Sequence, residues 1–203
     1  MPRYVDSDGR RRHITNAVWR VIRRDGLERA SVRVVATEAG LSMGSLRHYF
    51  ATQSELYTFA MRTVIDGITS RVEALELPTD PRQAAGQVLA EFLPLDAQRS
   101  EESQVWLAFT ARSLVDPTLR VLRDDAYDRL HHVCRRLVLA LMTTSREAGS
   151  DDVALETERL YALIDGLLIH GVIRPTRADG ELLRRVVGHH LDRLCDETDS
   201  RSR

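Results

Sequence analysis

The sequence contains no lysine, two cysteines, six prolines and eleven glycines, and it has no long apolar run. Cys134 and Cys195 are too few and too far apart to indicate a disulfide framework or a zinc site, so we interpret them as reduced, partly buried thiols. The low proline and glycine content, with 43% apolar residues, favours a packed globule over a disordered chain. Because no segment is apolar enough to cross a membrane or to act as a signal peptide, we expect no membrane partner and a cytoplasmic protein.

The charge is unevenly distributed along the chain, although the net charge is only −1. Residues 1–55 carry ten arginines against six acidic residues, and the remainder carries nineteen arginines against twenty-four acidic residues. The two parts therefore have formal charges of +4 and −5. A basic end of this kind suits a protein that presents one face to phosphate groups. The exclusive use of arginine is typical of a GC-rich coding sequence.

Residues 31–50, SVRVVATEAGLSMGSLRHYF, predict two short helices joined by a glycine-centred turn. Ser31 is suited to cap the first helix, and Gly40 is suited to end it because glycine accepts the left-handed backbone of a chain reversal. Ser42 is suited to cap the second helix. This arrangement is a helix-turn-helix in which the second helix reads DNA.

The second helix of this motif has an inward and an outward side. Leu46 and Phe50 fall on the inward side, and the outward residues are either small or carry hydrogen-bonding groups. Small residues let the backbone approach a groove, and the polar groups can bind phosphates and base edges. The outward residues are Met43, Gly44, Ser45, Arg47, His48 and Tyr49.

Two further helices frame the motif. An apolar stripe predicts a helix from about Arg10 to Asp25, and the Thr52-x-x-Glu55 capping box predicts another that begins at once after the motif. Arg10, Arg11 and Arg12 are expected just ahead of the first of these helices. They form either a disordered tail or an arm that becomes ordered on DNA, and the sequence leaves both possibilities open.

The string from Ala30 to Leu56, with SMGSL at residues 42–46 and HYF at residues 48–50, resembles the DNA-binding domain of the TetR family of bacterial regulators. Arg47 stands where the family commonly has Tyr, and it predicts a distinct base preference because arginine pairs bidentately with guanine. Gln53 stands where the family commonly has a phosphate-binding Lys, so the charge of that contact is lost. The predicted DNA-binding residues are Arg10, Arg11, Arg12, Ser31, Ser42, Met43, Gly44, Ser45, Arg47, His48, Tyr49 and Gln53.

The rest of the chain keeps helical spacing and shows no strand-like alternation, so the predicted fold class is all-α. The expected domains are a three-helix DNA-binding head at residues 1–54 and a larger effector-binding and dimerisation domain at residues 55–203. Asp80-Pro81, Asp116-Pro117 and Thr176-x-x-Asp179 are helix-start signals. Beyond a helix from Thr52 to about Leu75, helices are expected at about 81–92, 102–115, 116–145, 152–173 and 179–198.

The segments 104–109, 116–117 and 164–167 are similar to the C-terminal domain of the choline-sensing, BetI-like branch of the same family. This resemblance implies the architecture and self-association of two copies. Aromatic faces with a carboxylate suit a cationic or amphipathic molecule, although each aromatic residue taken alone is more typical of plain core. Asp165 in an apolar face must be hydrogen-bonded, paired, or turned toward a cavity or partner subunit. The candidate ligand-binding residues are Trp106, Phe109, Tyr127, Tyr161 and Asp165.

The last two helices have broad apolar faces that suit either packing within the domain or a four-helix interface between two copies. Two copies related by a twofold axis would present their reader helices one or more duplex turns apart, roughly 34–36 Å per turn, and would select a near-palindromic operator. The predicted interface residues are Leu160, Ile164, Leu167, Leu168, Val187, His190, Leu191 and Leu194.

No metal, cofactor or catalytic site is expected. His131-His132 with Asp128 lacks a convincing third ligand, and no nucleophile has a base at workable spacing. Together with the two resemblances, the helix-turn-helix predicts a homodimeric repressor that is released from an operator by a small-molecule effector. The alternative is an all-helical small-molecule carrier or enzyme that does not bind DNA.

Overall fold

The computed structural model describes the backbone of residues 7–142 and 150–201, and the side chains of residues 9–10, 13–142 and 150–196. The described backbone contains nine α-helices, two short 3-10 helices at Leu27–Arg29 and Pro117–Leu119, and no strand, which confirms the all-α prediction. The α-helices are α1 (Ser7–Asp25), α2 (Val32–Glu38), α3 (Met43–Arg47), α4 (Gln53–Glu73), α5 (Pro81–Ala90), α6 (Ala97–Ser113), α7 (Arg120–Met142), α8 (Ser150–Ile173) and α9 (Gly180–Arg201).

The chain packs as two compact units. The first unit comprises residues 1–66 and 105–123, and the second comprises residues 67–104 and 124–203. The helices α4, α6 and α7 therefore contribute residues to both units. The domain boundary between residues 54 and 55 stays a prediction.

The helix-turn-helix of the first unit forms from the local signals of the sequence. The Ser31 hydroxyl accepts from the Val34 amide at 3.3 Å, and the Ser42 hydroxyl accepts from the Ser45 amide at 3.1 Å, so both predicted caps are present. Gly40 adopts the left-handed conformation with a φ of 61°. Helix α3 is shorter than expected, because the amides of Tyr49 and Phe50 both donate to the Leu46 carbonyl at 2.9 Å and tighten its end.

Helix α1 begins earlier than the sequence predicted. Arg10, Arg11 and Arg12 lie within α1 rather than ahead of it, which contradicts a disordered tail at these residues, and their contact with DNA stays a prediction. The apolar stripe begins only at Ile14, which is fully buried. The turns before it bury no apolar side chain at any described position, and periodicity therefore could not detect them.

The core of the second unit is made by α5, α7, α8 and α9, with Leu89, Val138, Leu160 and Leu183 among its fully buried residues. Gly171 allows a close approach in this core. A Cβ atom added there would lie 2.5 Å from the Pro94 ring and 3.0 Å from Leu183.

Two helix starts in the second unit differ from the prediction. Helix α9 is capped by Asp179, whose carboxylate accepts from the Leu182 amide at 2.9 Å, and not by the expected box beginning at Thr176. Helix α6 begins at Ala97, because the Asp96 carboxylate accepts from the Arg99 amide at 2.8 Å. The first turns of α6 bury charged residues. A search for apolar periodicity therefore does not reveal these turns as part of a helix.

An ion-pair network joins the end of α4 to α5 and α6 within the second unit. Arg71 donates to Glu91 at 2.8 Å and to both oxygens of Glu102 at 3.0 and 2.7 Å. Arg99 donates to Glu91 from the other side at 3.0 Å. Glu102 is buried, so its charge needs these partners.

Candidate nucleic-acid interface and effector site

Helix α3 presents the predicted reader side chains to solvent. Leu46 and Phe50 are buried, as expected from their positions, whereas Arg47, His48 and Tyr49 are exposed. The side chains of these three exposed residues form no hydrogen bond or ion pair with any residue that the structure describes. Their guanidinium, imidazole and phenol groups are therefore available to bind another molecule.

The N-terminal end of α3 carries small side chains, and their hydroxyl groups form hydrogen bonds within the motif. The hydroxyls of Ser42 and Ser45 lie 2.9 Å apart and bond to each other, and Ser42 also caps the helix. A Cβ atom added at Gly44 would meet only the Ser42 hydroxyl, at 3.9 Å, so the protein interior does not require glycine there. Together with exposed Met43, this surface leaves room for the helix to approach a groove closely.

The arginines of α1 that face α2 are already paired within the protein. Glu38 accepts from Arg20 at 2.7 Å and from Arg24 at 2.8 Å, and these two hydrogen bonds lower the pKa of the Glu38 carboxyl. His13 donates from Nε2 to the Ala39 carbonyl at 2.8 Å. These contacts brace α1 against α2 and hold the motif together.

The start of α4 is closely tied to the end of the motif. The Thr52 hydroxyl accepts from the Glu55 amide at 3.1 Å, and the Glu55 carboxylate accepts from the Ala51 amide at 2.7 Å. The predicted capping box therefore forms, with Ala51 in place of Thr52 as the donor to Glu55. Gln53 is exposed and donates from its side-chain amide to the hydroxyl of buried Tyr57.

The structure gives less support to the remaining predicted DNA contacts. Arg10 is exposed, and half-buried Ser31 uses its hydroxyl oxygen as a helix cap. The side chains of Arg11 and Arg12 lie outside the described residues. Their part in DNA binding stays a prediction.

An aromatic cluster with a carboxylate lies in the second unit. The rings of Tyr127 and Tyr161 have centroids 6.0 Å apart, and the His131 ring lies 5.8 Å from Tyr161. Sequence reasoning missed His131 as a member of this cluster. Its spacing of four residues from Tyr127 on α7 was the signal, because residues i and i+4 share a helix face. His131 also lies 2.9 Å from the Glu158 carboxylate.

Asp165 lies on the same side of α8 as Tyr161, one turn further along the helix. Burial raises the pKa of its carboxyl, and no residue that the structure describes pairs with it. Burial, followed by the negative charge of Asp165, also raises the pKa of Tyr161. A half-buried carboxylate without a partner, beside electron-rich rings, is suited to a cationic ligand.

The other two predicted ligand residues lie in the first unit. Phe109 is fully buried there, and Trp106 is half-buried. A single pocket that includes them together with Tyr127, Tyr161 and Asp165 stays a prediction.

The predicted dimer-interface residues are mostly packed inside one copy of the chain. Their burial corrects the expectation that they are free to meet a partner, because an apolar pattern marks the core side of a helix first. Leu168 and His190 are half-buried. The buried residues of this set, all in the core cluster of the second unit, are Leu160, Ile164, Leu167, Val187, Leu191 and Leu194.

A different side of α8 is open. Leu155 is 60% exposed and Ile173 is 62% exposed, and between them the three- and four-residue steps pass through Arg159, Ala162, Gly166 and Ile169. We call these six residues the open stripe of α8. Ala162 is exposed, and a Cβ atom added at Gly166 would meet nothing within 4 Å.

The sequence also raised the questions of a metal site, of the two cysteines and of a membrane-spanning segment. Among the described residues, no group of three His, Cys, Asp or Glu is placed to hold a metal ion. Cys134 and Cys195 are not joined in a disulfide, and burial raises the pKa of the Cys134 thiol to about 12. No helix within the described part of the chain is long and apolar enough to span a membrane.

Comparison with known proteins gives consistent matches. A family profile for the C-terminal domain of BetI-type transcriptional repressors, within the TetR family, matches residues 81–196. The HTH-type transcriptional regulator PksA of Bacillus subtilis is 37% identical over 198 residues, which cover 97% of this chain and 95% of that protein.

Solved structures show the same fold. A transcriptional regulator from Rhodococcus sp. RHA1 has a TM-score of 0.81 and 28% identity, and the match covers 93% of this chain and 97% of that one. A regulator from Saccharomonospora viridis, solved in complex with choline, has a TM-score of 0.76 and 23% identity, with 92% and 96% of the two chains covered.

The family match covers more than half of the chain and agrees with the helix-turn-helix of the first unit. Regulators of the TetR family bind DNA, act as dimers and are not enzymes, which decides against the alternative of a carrier or enzyme. This chain is therefore a DNA-binding transcriptional regulator and belongs to the BetI-type repressors of the TetR family.

Proposed function

We propose that this protein is a homodimeric repressor that binds a near-palindromic operator through two α3 helices, and that a cationic small molecule releases it. The observation that carries the proposal is the exposed and internally unpaired set Arg47, His48 and Tyr49 beside Gly44. A protein of this kind acts where the bacterial chromosome lies, in the cytoplasm.

Arg47 is the residue proposed to read a base. Its guanidinium can donate bidentately to the O6 and N7 atoms of guanine in the major groove. Tyr49 follows the end of α3, where a hydroxyl suits a phosphate contact. Arg47→Ala is expected to relax base preference at one operator position at a cost of about 1–3 kcal/mol, whereas Tyr49→Phe is expected to weaken binding to all sequences alike.

Selection from a library of random duplexes tests this assignment. Wild type, Arg47→Ala and Tyr49→Phe are each selected against the same library, and their base-preference profiles are compared. Identical profiles for wild type and Arg47→Ala would remove Arg47 from base reading. The duplex selected by wild type then serves for a salt titration, in which a steep fall in affinity is expected because phosphates are neutralised on binding.

The open stripe of α8 is proposed as the centre of the dimer interface. Its apolar and small residues leave an apolar surface uncovered in a single copy, and small residues let two helices approach closely. A twofold axis through this surface relates the two α3 helices of a dimer by symmetry. The palindromic operator follows from that symmetry.

The cluster of Tyr127, Tyr161 and Asp165 is proposed as the effector site. The regulator from Saccharomonospora viridis holds choline, a quaternary ammonium ion, within the same fold. In this chain the support for a cation comes from its own residues, namely the unpaired carboxylate and the two tyrosine rings.

A thermal-shift screen tests the class of effector. Choline and its uncharged carbon isostere have the same shape and differ in charge. If the site selects the charge, choline raises the melting temperature of the protein and the isostere does not. Hits are then tested for release of the selected duplex. A hundredfold loss of operator affinity requires about 2.7 kcal/mol of preference for the DNA-incompetent state. Equal stabilisation by both molecules would contradict a cation site.

A further inference from the structure

A hydrogen bond joins two distant parts of the first unit. The Ser54 hydroxyl, in the first turn of α4, donates to the Asp116 carboxylate at 2.7 Å across 62 positions of sequence. Ser54 is half-buried, and its neighbour Gln53 is the predicted phosphate contact. Nothing in the sequence pattern places Asp116 beside the DNA-binding residues.

Asp116 uses its two oxygens for two different tasks. Oδ1 accepts from the Thr118 amide at 3.0 Å and from the Thr118 hydroxyl at 2.6 Å, and so caps the short helix that follows. Oδ2 accepts from Ser54. The hydroxyls of Thr118 and Ser54 together lower the pKa of the Asp116 carboxyl, so the group is a carboxylate at neutral pH. A carboxylate acceptor makes the bond to Ser54 stronger than a neutral one.

The first turn of α4 buries Leu56, and its other side-chain hydrogen bonds join residues that are close in sequence. The capping box between Thr52 and Glu55 fixes the turn relative to its own backbone, and Gln53 bonds to Tyr57 in the same helix. The Ser54 bond is a side-chain hydrogen bond from this turn to residues 105–123 of the same unit.

We propose that Asp116 is a positioning residue for DNA binding: through Ser54 it holds the first turn of α4, and with it Gln53, against one phosphate of the operator. The inference rests on the proposed function, because it requires α3 and the start of α4 to face DNA. Asp116 itself does not touch the duplex.

The chain offers variants that separate this role from simpler ones. Ser54→Ala removes the link and leaves the Asp116 cap on Thr118 intact. Asp116→Ala removes both. In Asp116→Asn, Oδ1 still caps Thr118 and the new amide can donate to the Ser54 hydroxyl, so this conservative variant is expected to restore the link. Thr118→Val is the matched control, because it removes a bond to the same carboxylate without touching α4.

The test replaces single phosphates of the selected operator by neutral methylphosphonates, one at a time, and measures affinity for each protein. Wild type is expected to lose affinity roughly tenfold at each contacted phosphate, the fold-change that one such hydrogen bond supports. In Ser54→Ala and Asp116→Ala the sensitivity to one and the same phosphate is expected to disappear, while the others stay. Asp116→Asn and Thr118→Val are expected to keep the wild-type pattern.

A purely structural role would lower affinity for every operator alike and leave this pattern unchanged, so an unchanged pattern in Ser54→Ala and Asp116→Ala overturns the inference. Loss of sensitivity in Ser54→Ala alone would show that Ser54 binds the phosphate itself, which also overturns it. The double variant Ser54→Ala/Asp116→Ala is expected to match the single variants, since both changes break one link. Failure of wild type to bind any duplex is a separate result, and it refutes the proposed function instead.

Discussion

The carboxylate of Asp165 should lower the stability of the protein in the absence of an effector. It is half-buried, burial raises its pKa above the ordinary value of 3.8, and none of the described residues compensates its charge. For a raised pKa the stability contribution is present below the unfolded value and is lost as the pH rises through the folded value. At neutral pH the folded protein therefore carries the charge at a cost in free energy.

Asp165→Asn removes this charge and keeps the shape of the side chain. We expect the free energy of unfolding at neutral pH to rise by about 0.5–2 kcal/mol, the range usual when one unfavourable local feature is relieved. In a chain of this size that corresponds to about 1–8 °C in melting temperature. The proposed effector site predicts that choline stabilises wild type, and Asp165→Asn is expected to lose that stabilisation because the counter-charge of the cation is gone.

Differential scanning fluorimetry at neutral pH and near pH 4, with and without choline, measures both effects. The gain from Asp165→Asn is expected to shrink at the lower pH, where more of the wild-type carboxyl is neutral. Asp128→Asn is the matched control, since Asp128 is an exposed acid of the same unit. A lower melting temperature for Asp165→Asn at neutral pH would refute the reasoning, because it would mean that the charge makes a stabilising contact.

Two further predictions concern packing and assembly. Gly171→Ala puts a methyl group 2.5 Å from Pro94 and should lower the free energy of unfolding in urea by about 1–3 kcal/mol. Gly67→Ala, whose nearest contact would be at 3.6 Å, should be neutral or stabilising by up to about 1 kcal/mol, and equal losses would contradict the steric account. Ala162→Arg should convert the proposed dimer to monomers in sedimentation velocity, whereas Ala154→Arg, exposed but off the open stripe, should leave it dimeric. A dimer in both variants would remove the open stripe from the interface.

Features that depend on neighbours within about four residues were predictable from the sequence. The caps at Ser31 and Ser42 and the left-handed Gly40 appear as expected, because each requires only a hydroxyl or a missing Cβ at a fixed offset. The exposure of Arg47, His48 and Tyr49 followed from the same helical spacing. Resemblance of these residues to a known motif then led to the family.

Spacing was less informative where a helix is covered on more than one side. The apolar pattern of α8 correctly marked buried residues such as Leu160 and Ile164, but it could not tell a core from an interface, since both select apolar side chains. The sequence analysis also missed the start of α6, because the buried residues there are charged or polar and not apolar. Glu102 is buried there against Arg71, and a buried ion pair resembles a solvated surface in sequence.

The sequence by itself determined the helical class, the helix-turn-helix and the exposure of the proposed reader residues, because these depend on short-range hydrogen bonds and on helical periodicity. Only the tertiary structure decided that Asp116 meets Ser54, that His131 joins Tyr161, and which side of α8 stays open. Such contacts join residues whose separation along the chain carries no local signal. They arise when the packing of the whole unit brings distant helices together.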